Sequence, residues 1–153
     1  MKIRLNSKKP GERCDHCGIH PDYCICAESP NLDLPTRVVI FMHCREKSLS
    51  TNTARLARRA LKGCEIRIRG EQDRPTDGSN LIEPGRRTVV LFPSEEARVL
   101  DAAWLAENPG PYTLIVPDGN WRQASKCVRR EPDIAELPRI KLPPGPLSEY
   151  KLR

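Results

Sequence analysis

Short apolar runs, each about the length of a buried strand, alternate along the chain with segments of helical length. Apolar runs bounded by turn signals are typical of strands, and helical segments between them favour parallel pairing. The strand runs lie at residues 37–42 (RVVIFM), 64–69 (CEIRIR), 88–92 (TVVLF), 112–116 (YTLIV) and 139–142 (RIKL). The predicted helices lie at residues 52–62, 94–107 and 121–130. This order predicts an α/β domain with a mainly parallel sheet and flanking helices.

Polar or turn-forming residues follow three of these strand runs at the point where each run ends. They occupy residues 43–50, 92–94 and 117–119. In open parallel sheets, ligands bind beyond the carboxyl ends of the strands. We therefore expect the three loops to converge on one cleft.

The stretch VPDGNWRQASKCVRR, residues 116–130, places an acid, a glycine and an indole between an apolar strand and a basic helix. Asp118 could act as a general base, and Gly119 would let the backbone approach a ligand closely. Trp121 offers a flat face on which a nucleobase could stack. A structural interpretation stays open, in which the acid caps the helix, the glycine turns the chain and the tryptophan is buried. The helix also carries four cations that could follow phosphates, namely Arg122, Lys126, Arg129 and Arg130.

A second segment with anion-binding potential is STNT, residues 50–53, at the start of the helix predicted at 52–62. Free N–H groups at a helix N-terminus can hold a carboxylate or a phosphate. The helix itself is basic and includes Arg55 and Arg58. The alternative is a well-capped surface helix whose charges are solvated.

The segment CDHCGIHPDYCIC, residues 14–26, holds four of the seven cysteines as C-x2-C followed by C-x-C. Four thiolates at this spacing can close a tetrahedral zinc shell, and His16 or His20 could replace one sulfur. The alternative is four reduced thiols in a packed knuckle. The other three cysteines have no partner at a ligand spacing.

Charge and hydropathy narrow the class of protein. The 153 residues carry a net charge of +6 and a pI of about 9.1. This balance favours a polyanionic partner such as nucleic acid, although a merely basic soluble protein has it too. No apolar run approaches the ~18 to 20 residues of a membrane span, and the N-terminus has no secretory signal. We therefore expect a cytoplasmic protein, in which the cysteines do not form a disulfide framework.

The order of six segments resembles that of DTW-domain proteins, which are tRNA-uridine aminocarboxypropyltransferases related to the SPOUT class of α/β-knot transferases. The segments are CDHCGIHPDYCIC, HCRE, STNTARLA, LFPSEEA, PDGNWRQASK and SEYKLR, spread over residues 14–153. The resemblance implies transfer of the 3-amino-3-carboxypropyl group of S-adenosylmethionine to N3 of a tRNA uridine, with release of methylthioadenosine. The chain would then comprise a basic flexible tail (1–13), a Cys-rich zinc-binding knuckle with its linker (14–36) and a DTW α/β transferase domain (37–153).

The resemblance also implies roles for individual residues. Asp118 matches the acid of the family signature, and it would serve as the catalytic base or place the cationic donor. The residues implied in the donor pocket are Ser50, Thr51, Asn52, Thr53, Phe92, Pro93, Ser94, Val116, Pro117, Gly119 and Trp121. Those implied in tRNA contact are Arg55, Arg58, Arg122, Lys126, Arg129 and Arg130, with Lys8 and Lys9 on the tail. The implied zinc ligands are Cys14, Cys17, Cys24 and Cys26.

The sequence departs from the family pattern in three places. Asn120 stands where the signature usually has threonine, and it keeps the capacity to form hydrogen bonds. Cys44 stands where the family usually has proline, which leaves the shape of that loop open. The family's C-terminal segment is not among these 153 residues. We therefore expect the knot and one wall of the donor pocket to be incomplete, and a homodimer could complete them.

Two other functions stay open at this level. A non-catalytic, zinc-containing RNA-binding module would retain tRNA and tolerate loss of Asp118. A SPOUT-type RNA methyltransferase would use the same donor but would leave a methyl group on the RNA.

Overall fold

The computed structural model describes residues 13–49 and 52–146, which build one six-stranded sheet with every neighbouring pair of strands parallel. The strands are β1 (Arg37–His43), β2 (Glu65–Arg69), β3 (Arg87–Leu91), β4 (Arg98–Val99), β5 (Tyr112–Asp118) and β6 (Arg139–Lys141). Their order across the sheet is β2-β1-β5-β3-β6-β4. Strand β5 lies between β1 and β3 in the middle of the sheet, so it pairs on both sides with strands that come earlier in the sequence.

Helices cover both faces of the sheet. They are α1 (Ala54–Ala60), α2 (Ala102–Glu107), α3 (Trp121–Arg130) and α4 (Pro132–Ala135). Side chains of β1 alternate between the two faces, as a strand requires. Val39 and Phe41 pack with Val128 on the α3 face, whereas Ile40 packs with Ala54 on the α1 face. Full burial of such an apolar side chain contributes about 1.5–3 kcal/mol, so both helical layers are held by the sheet.

The strand register brings three strand ends to one edge of the sheet. Met42 of β1 pairs with Asp118 of β5, and His43 pairs with Arg69 of β2. On the other side of β5, strand β3 ends one residue before Phe92. The loops that follow these strands therefore meet at the carboxyl edge, where parallel sheets bind ligands.

A buried ion pair fixes α3 to the sheet at this edge. The guanidinium of Arg69 contacts the Glu131 carboxylate at 2.8 Å, and the two side chains are only 9% and 16% exposed. Arg69 also donates to the Gln123 carbonyl at 3.4 Å. Loss of one partner from a buried pair costs about 3–5 kcal/mol, because the remaining charge stays buried. The pair therefore limits movement of α3 relative to β2.

The predicted α/β class with a mainly parallel sheet is confirmed, but the helix predicted at 94–107 is wrong in its first half. Strand β4 occupies that region and pairs with β6. The helix starts only after Asp101, whose carboxylate accepts a hydrogen bond from the Trp104 backbone at 2.8 Å. Asp101, and not Ser94 at the start of the predicted helix, is therefore the cap. This segment forms a strand because it pairs with β6, a contact that local helix propensity does not encode.

Of the further expectations, one is met in part and two are not tested by the structure. The helix predicted at 52–62 is shorter and begins at Ala54, and the sequence did not predict α4. The SPOUT-like knot stays a prediction. Nearly all of the predicted tail, including Lys8 and Lys9, lies outside the described residues. Within residues 13–49 and 52–146, no helix reaches the length and apolarity that a bilayer crossing requires.

Candidate functional site

Asp118, the last residue of β5, is held by the segment that precedes α1. Its Oδ2 accepts a hydrogen bond of 2.7 Å from the Asn52 amide nitrogen. The Asn52 amide is itself oriented, because its oxygen accepts from the Ala54 backbone N–H at 3.0 Å. Oδ1 of Asp118 has no hydrogen-bond partner among the described residues. A positioned carboxylate with one open oxygen is suited to accepting a proton.

His43, the last residue of β1, lies against Gly119 on the α3 side of the sheet and has a defined tautomer. Its Nδ1 accepts from the Arg45 backbone N–H at 3.2 Å and lies 3.4 Å from the Gln123 side-chain nitrogen. Because a backbone N–H can only donate, the proton of the neutral ring belongs on Nε2. Burial lowers the pKa of His43, and the positive charges of Arg69 and Arg45 lower it further. His43 is therefore a neutral imidazole that presents an N–H donor.

Gln123 connects the His43 ring to the start of α3. The Asn120 side chain accepts from the Gln123 backbone N–H at 3.0 Å, and the Gln123 side chain accepts from the Asn120 N–H at 2.7 Å. These reciprocal bonds form a capping box and satisfy two helix N–H groups. The asparagine that replaces the signature threonine thus serves as the helix cap.

Gly119 joins Asp118 to this cap in a backbone conformation that favours glycine, with φ of +149°. A Cβ atom at this position would lie 2.7 Å from the Gln123 side-chain oxygen and 3.4 Å from the His43 Cβ. The glycine therefore lets the strand end, the capping box and the imidazole pack together.

We expect Gly119→Ala to lower the free energy of unfolding by about 1–3 kcal/mol, through backbone strain and the displaced Gln123 side chain. Urea denaturation followed by circular dichroism measures this change. Gly63→Ala is the control, because Gly63 also has a positive φ but has no atom within 4 Å of an added Cβ. An equal loss in both variants would contradict the packing role of Gly119, since strain alone would then explain it.

An aromatic pair lies at the same carboxyl edge of the sheet. The rings of Phe92 and Trp121 have centroids 6.1 Å apart in an edge-to-face arrangement. Trp121 is 71% exposed, so the interpretation of this residue as a buried tryptophan is wrong. In the loop after Phe92, the Ser94 hydroxyl is shielded from solvent and has no hydrogen-bond partner among the described residues. An exposed indole and an unsatisfied hydroxyl are both groups that a bound ligand can use.

Cations on α3 and α1 flank the cleft. Arg122, Arg129 and Arg130 are exposed on α3, and none of them forms an ion pair with a described carboxylate. On α1, Arg58 is exposed in the same way, whereas Arg55 donates to the Lys47 carbonyl. The exposed guanidinium groups are therefore available to a polyanion.

Residues 13–26, here called the cysteine knuckle, bring four thiols together. The Sγ atoms of the four cysteines all lie within 4.8 Å of one another, and the residues are Cys14, Cys17, Cys24 and Cys26. The first pair sits on a turn that the Gly18 N–H closes by donating to the Cys14 carbonyl at 2.8 Å. The four thiols can hold one metal ion.

Two thiols of the cluster differ in acidity. Backbone hydrogen bonds from Cys17 and His16 lower the pKa of Cys14 to about 6. Burial, followed by hydrogen bonding to Cys14, raises the pKa of Cys26 to about 12. Cys14 is therefore the more acidic of the two thiols, and a bound zinc ion would hold all four sulfurs as thiolates.

The cysteine knuckle is docked on α1 by two arginines. Arg59 donates to the Cys26 carbonyl at 2.8 Å. Arg55 lies directly over Gly18, where an added Cβ would be 2.7 Å from the guanidinium nitrogen. Arg55, which the resemblance implies in tRNA contact, thus also packs the knuckle against the domain.

The structure brings several of the predicted site residues together and leaves others apart. Asn52 and Asp118 are hydrogen-bonded to each other, Gly119 follows directly, and Phe92 and Trp121 lie at the same carboxyl edge of the sheet. Ser50 and Thr51 lie outside the described residues. Val116 packs into the core on the α1 face, and the Thr53 side chain forms no cap. The donor-binding roles stay predictions.

Sequence reasoning missed the contribution of Gln123 and did not assign a role to His43. The spacing Asn120-x-x-Gln123 is that of a capping box and could have identified the glutamine. The His43 contact with Gln123 joins residues 80 positions apart, and no local pattern encodes it.

Comparison with known proteins agrees with the order of motifs. The family model described as the DTW domain matches residues 11–153. Curated relatives from Drosophila melanogaster, Macaca fascicularis and Mus musculus are each named tRNA-uridine aminocarboxypropyltransferase 2, at 24%, 25% and 27% identity over 99%, 99% and 92% of this chain. The chain spans 62%, 53% and 49% of the lengths of these relatives. No solved structure matches the chain.

Proposed function

The chain belongs to the DTW-domain family, and from this membership and the geometry of the cleft we propose that it modifies uridine in tRNA. The proposed reaction transfers the 3-amino-3-carboxypropyl group of S-adenosylmethionine to N3 of the uridine. The names of the three relatives support this substrate and this transferred group. The observation that carries the proposal is the Asp118 carboxylate, fixed by Asn52 at the carboxyl edge of the sheet with one oxygen open.

The chemistry requires a base at the acceptor nitrogen. Uridine N3 carries a weakly acidic proton, which the Asp118 carboxylate accepts as N3 attacks the carbon next to the donor sulfur. The carbon–sulfur bond breaks, and its electron pair stays on sulfur. Methylthioadenosine leaves as a neutral thioether. The same carboxylate would offset the positive charge of the sulfonium before transfer.

The residues of the cleft fit a donor with a flat ring and several polar groups. The donor supplies an activated carbon because its sulfur is cationic. The Trp121 indole offers a face for the adenine, and Phe92 supports the indole from the edge. The Ser94 hydroxyl would gain the hydrogen-bond partner that it lacks among the described residues. Gly119 allows backbone approach, while Pro93 and Pro117 would shape the pocket wall.

The cysteine knuckle is proposed to hold structural zinc. In a tetrahedral site with zinc–sulfur bonds of about 2.3 Å, neighbouring sulfurs lie about 3.8 Å apart. The Cys14–Cys26 and Cys17–Cys24 sulfurs lie 3.7 and 3.9 Å apart. Four cysteines with no open position are typical of structural sites, so the metal would stabilise the knuckle and take no part in the transfer.

Incubation of this chain with S-adenosylmethionine and unmodified tRNA tests the proposal. Mass analysis of the digested nucleosides is expected to show a uridine carrying one aminocarboxypropyl group, with an equal amount of methylthioadenosine. A methylated nucleoside would contradict the proposal and identify a methyltransferase. Retained tRNA with no modified nucleoside would also contradict it and favour an RNA-binding module.

A further inference from the structure

A cavity of about 350 Å³ lies between the cysteine knuckle, α1 and the strands β1 and β2. Its apolar floor consists of Met42, Ile66 and Ile68, which face α1 from the sheet. Cations from three separate elements form the wall, and they are Arg13, Lys47, Arg55 and Arg58. An apolar floor beneath several cations combines a seat for a nucleobase with contacts for a phosphate.

We infer that this cavity binds one phosphate-bearing nucleotide of the tRNA, close to the uridine that is modified. The inference rests on the proposed function for the identity of the RNA, and it adds a second contact region to the cleft around Asp118. The Arg58 guanidinium and the Lys47 ammonium hold the phosphate, and the base lies against the aliphatic floor.

Three of the four cations of this wall, Arg13, Arg55 and Arg58, have no carboxylate partner among the described residues. Arg37, Arg67 and Arg69 each pair with a glutamate at 2.9 Å or less. Within the described residues, Arg58 forms neither an ion pair nor a hydrogen bond, and Lys47 meets Glu71 only at 3.9 Å. Cations that converge on a cavity with few carboxylate partners favour an anionic ligand, because they repel one another.

The position of the cavity relative to Asp118 favours a nucleotide of the same RNA. Met42 forms part of the floor and is the residue that pairs with Asp118 in the sheet. Neighbouring strands lie about 4.8 Å apart, so the cavity begins within about one nucleotide length of the carboxylate. A single-stranded loop could place its target base at Asp118 and an adjacent nucleotide in the cavity.

One carboxylate, that of Asp15, also lines the cavity and limits which part of a nucleotide can enter there. On the knuckle side, Asp15 offsets the positive charge of Arg13, so a phosphate gains little there. It is attracted on the α1 side, where Arg58 lies. The base, which has N–H donors, is therefore oriented toward the knuckle and the phosphate toward α1.

Charge reversal tests the cavity without requiring turnover. The affinity of the chain for unmodified tRNA is measured by filter binding over a series of salt concentrations. We expect Arg58→Glu and Lys47→Glu each to weaken binding about tenfold or more, and to lower the slope of log affinity against log salt by about one phosphate contact. Both side chains are exposed, so the variants are expected to fold.

Arg87→Glu is the matched control. Arg87 is exposed and its side chain donates only to the Pro109 carbonyl among the described residues, at 3.4 Å, but it lies at the opposite edge of the sheet. If all three variants lose the same affinity, only net charge matters and the cavity assignment is overturned. It is also overturned if Arg58→Glu weakens binding of S-adenosylmethionine in calorimetry and leaves tRNA binding intact.

Single neutral phosphates locate the contact on the RNA. In a synthetic tRNA, one methylphosphonate is expected to weaken binding to the wild-type chain and to have no further effect on Arg58→Glu. That position should lie within about two nucleotides of the modified uridine, given the strand spacing. Equal losses in both proteins at every position would overturn the inference. A coupled position without any modified uridine would support the cavity and count against the proposed reaction alone.

Discussion

Asp118→Asn is expected to lower the rate of aminocarboxypropyl transfer to tRNA about 100- to 10,000-fold, the range that a positioned general base contributes. Asparagine has the size of aspartate and can still accept a hydrogen bond from Asn52, so the cleft keeps its shape. Its amide cannot take the proton from uridine N3. The rate is measured as modified nucleoside per chain with tRNA and S-adenosylmethionine both saturating.

Asp33→Asn is the matched control for this substitution. Asp33 is 71% exposed and pairs with Lys62 at 2.6 Å. It precedes the amino end of β1, whereas Asp118 lies at the carboxyl edge of the sheet. An exposed pair contributes about 0–1 kcal/mol, so the control should transfer the group at nearly the wild-type rate. A wild-type rate in Asp118→Asn would contradict the role as base. A normal kcat with a raised KM for the donor would instead assign Asp118 to placing the sulfonium.

The carboxyl edge of the sheet could be predicted from sequence because it depends on local signals. An apolar run followed by Pro117-Asp118-Gly119 marks both the strand and its end. Helix α3 was predicted with its observed bounds because Pro132 prevents its continuation, but the residue that caps its start is Asn120 and not the acid. Once the strands are parallel, their ends must share an edge, so the location of Asp118 follows from the topology.

The hydrogen bonds within the candidate site could not be predicted, because they join residues that are distant in the sequence. Asn52 was expected at a helix N-terminus as an anion ligand, but its amide holds Asp118, 66 positions further along the chain. The same limit explains the error at residues 94–107. The residues of β4 pair with β6, which comes about forty residues later, and no window of local sequence contains that partner.

No residue of the cysteine knuckle belongs to the three apolar clusters of the domain, whose members all lie between residues 38 and 140. Its fixed contacts with the domain are polar, as in the bond from Arg59 to the Cys26 carbonyl. A segment this short buries too little apolar surface to fold alone, so a metal ion is the natural source of its stability.

Cys17→Ser is therefore expected to abolish zinc binding and to unfold the knuckle while the sheet stays folded. Cys17 is 3% exposed, and a serine hydroxyl does not replace a thiolate ligand. Apparent binding free energies of structural zinc reach about 10–16 kcal/mol in small peptides, which is far more than the knuckle can gain by packing. The measurements are zinc per chain by elemental mass spectrometry and cleavage by proteinase K. The wild-type chain should hold one zinc, and the variant should be cut ahead of β1 to leave a resistant domain.

Cys64→Ser separates loss of a ligand from loss of a buried thiol. Cys64 is also buried, at 8% exposure, but it lies in the core on the α1 face and outside the cluster. It should keep one zinc per chain and an intact knuckle. Zinc retained in Cys17→Ser, or a knuckle that resists protease without zinc, would contradict a structural metal site. Because Arg13 to Asp15 line the cation-walled cavity, Cys17→Ser should also weaken tRNA binding as Arg58→Glu does, whereas Cys64→Ser should not.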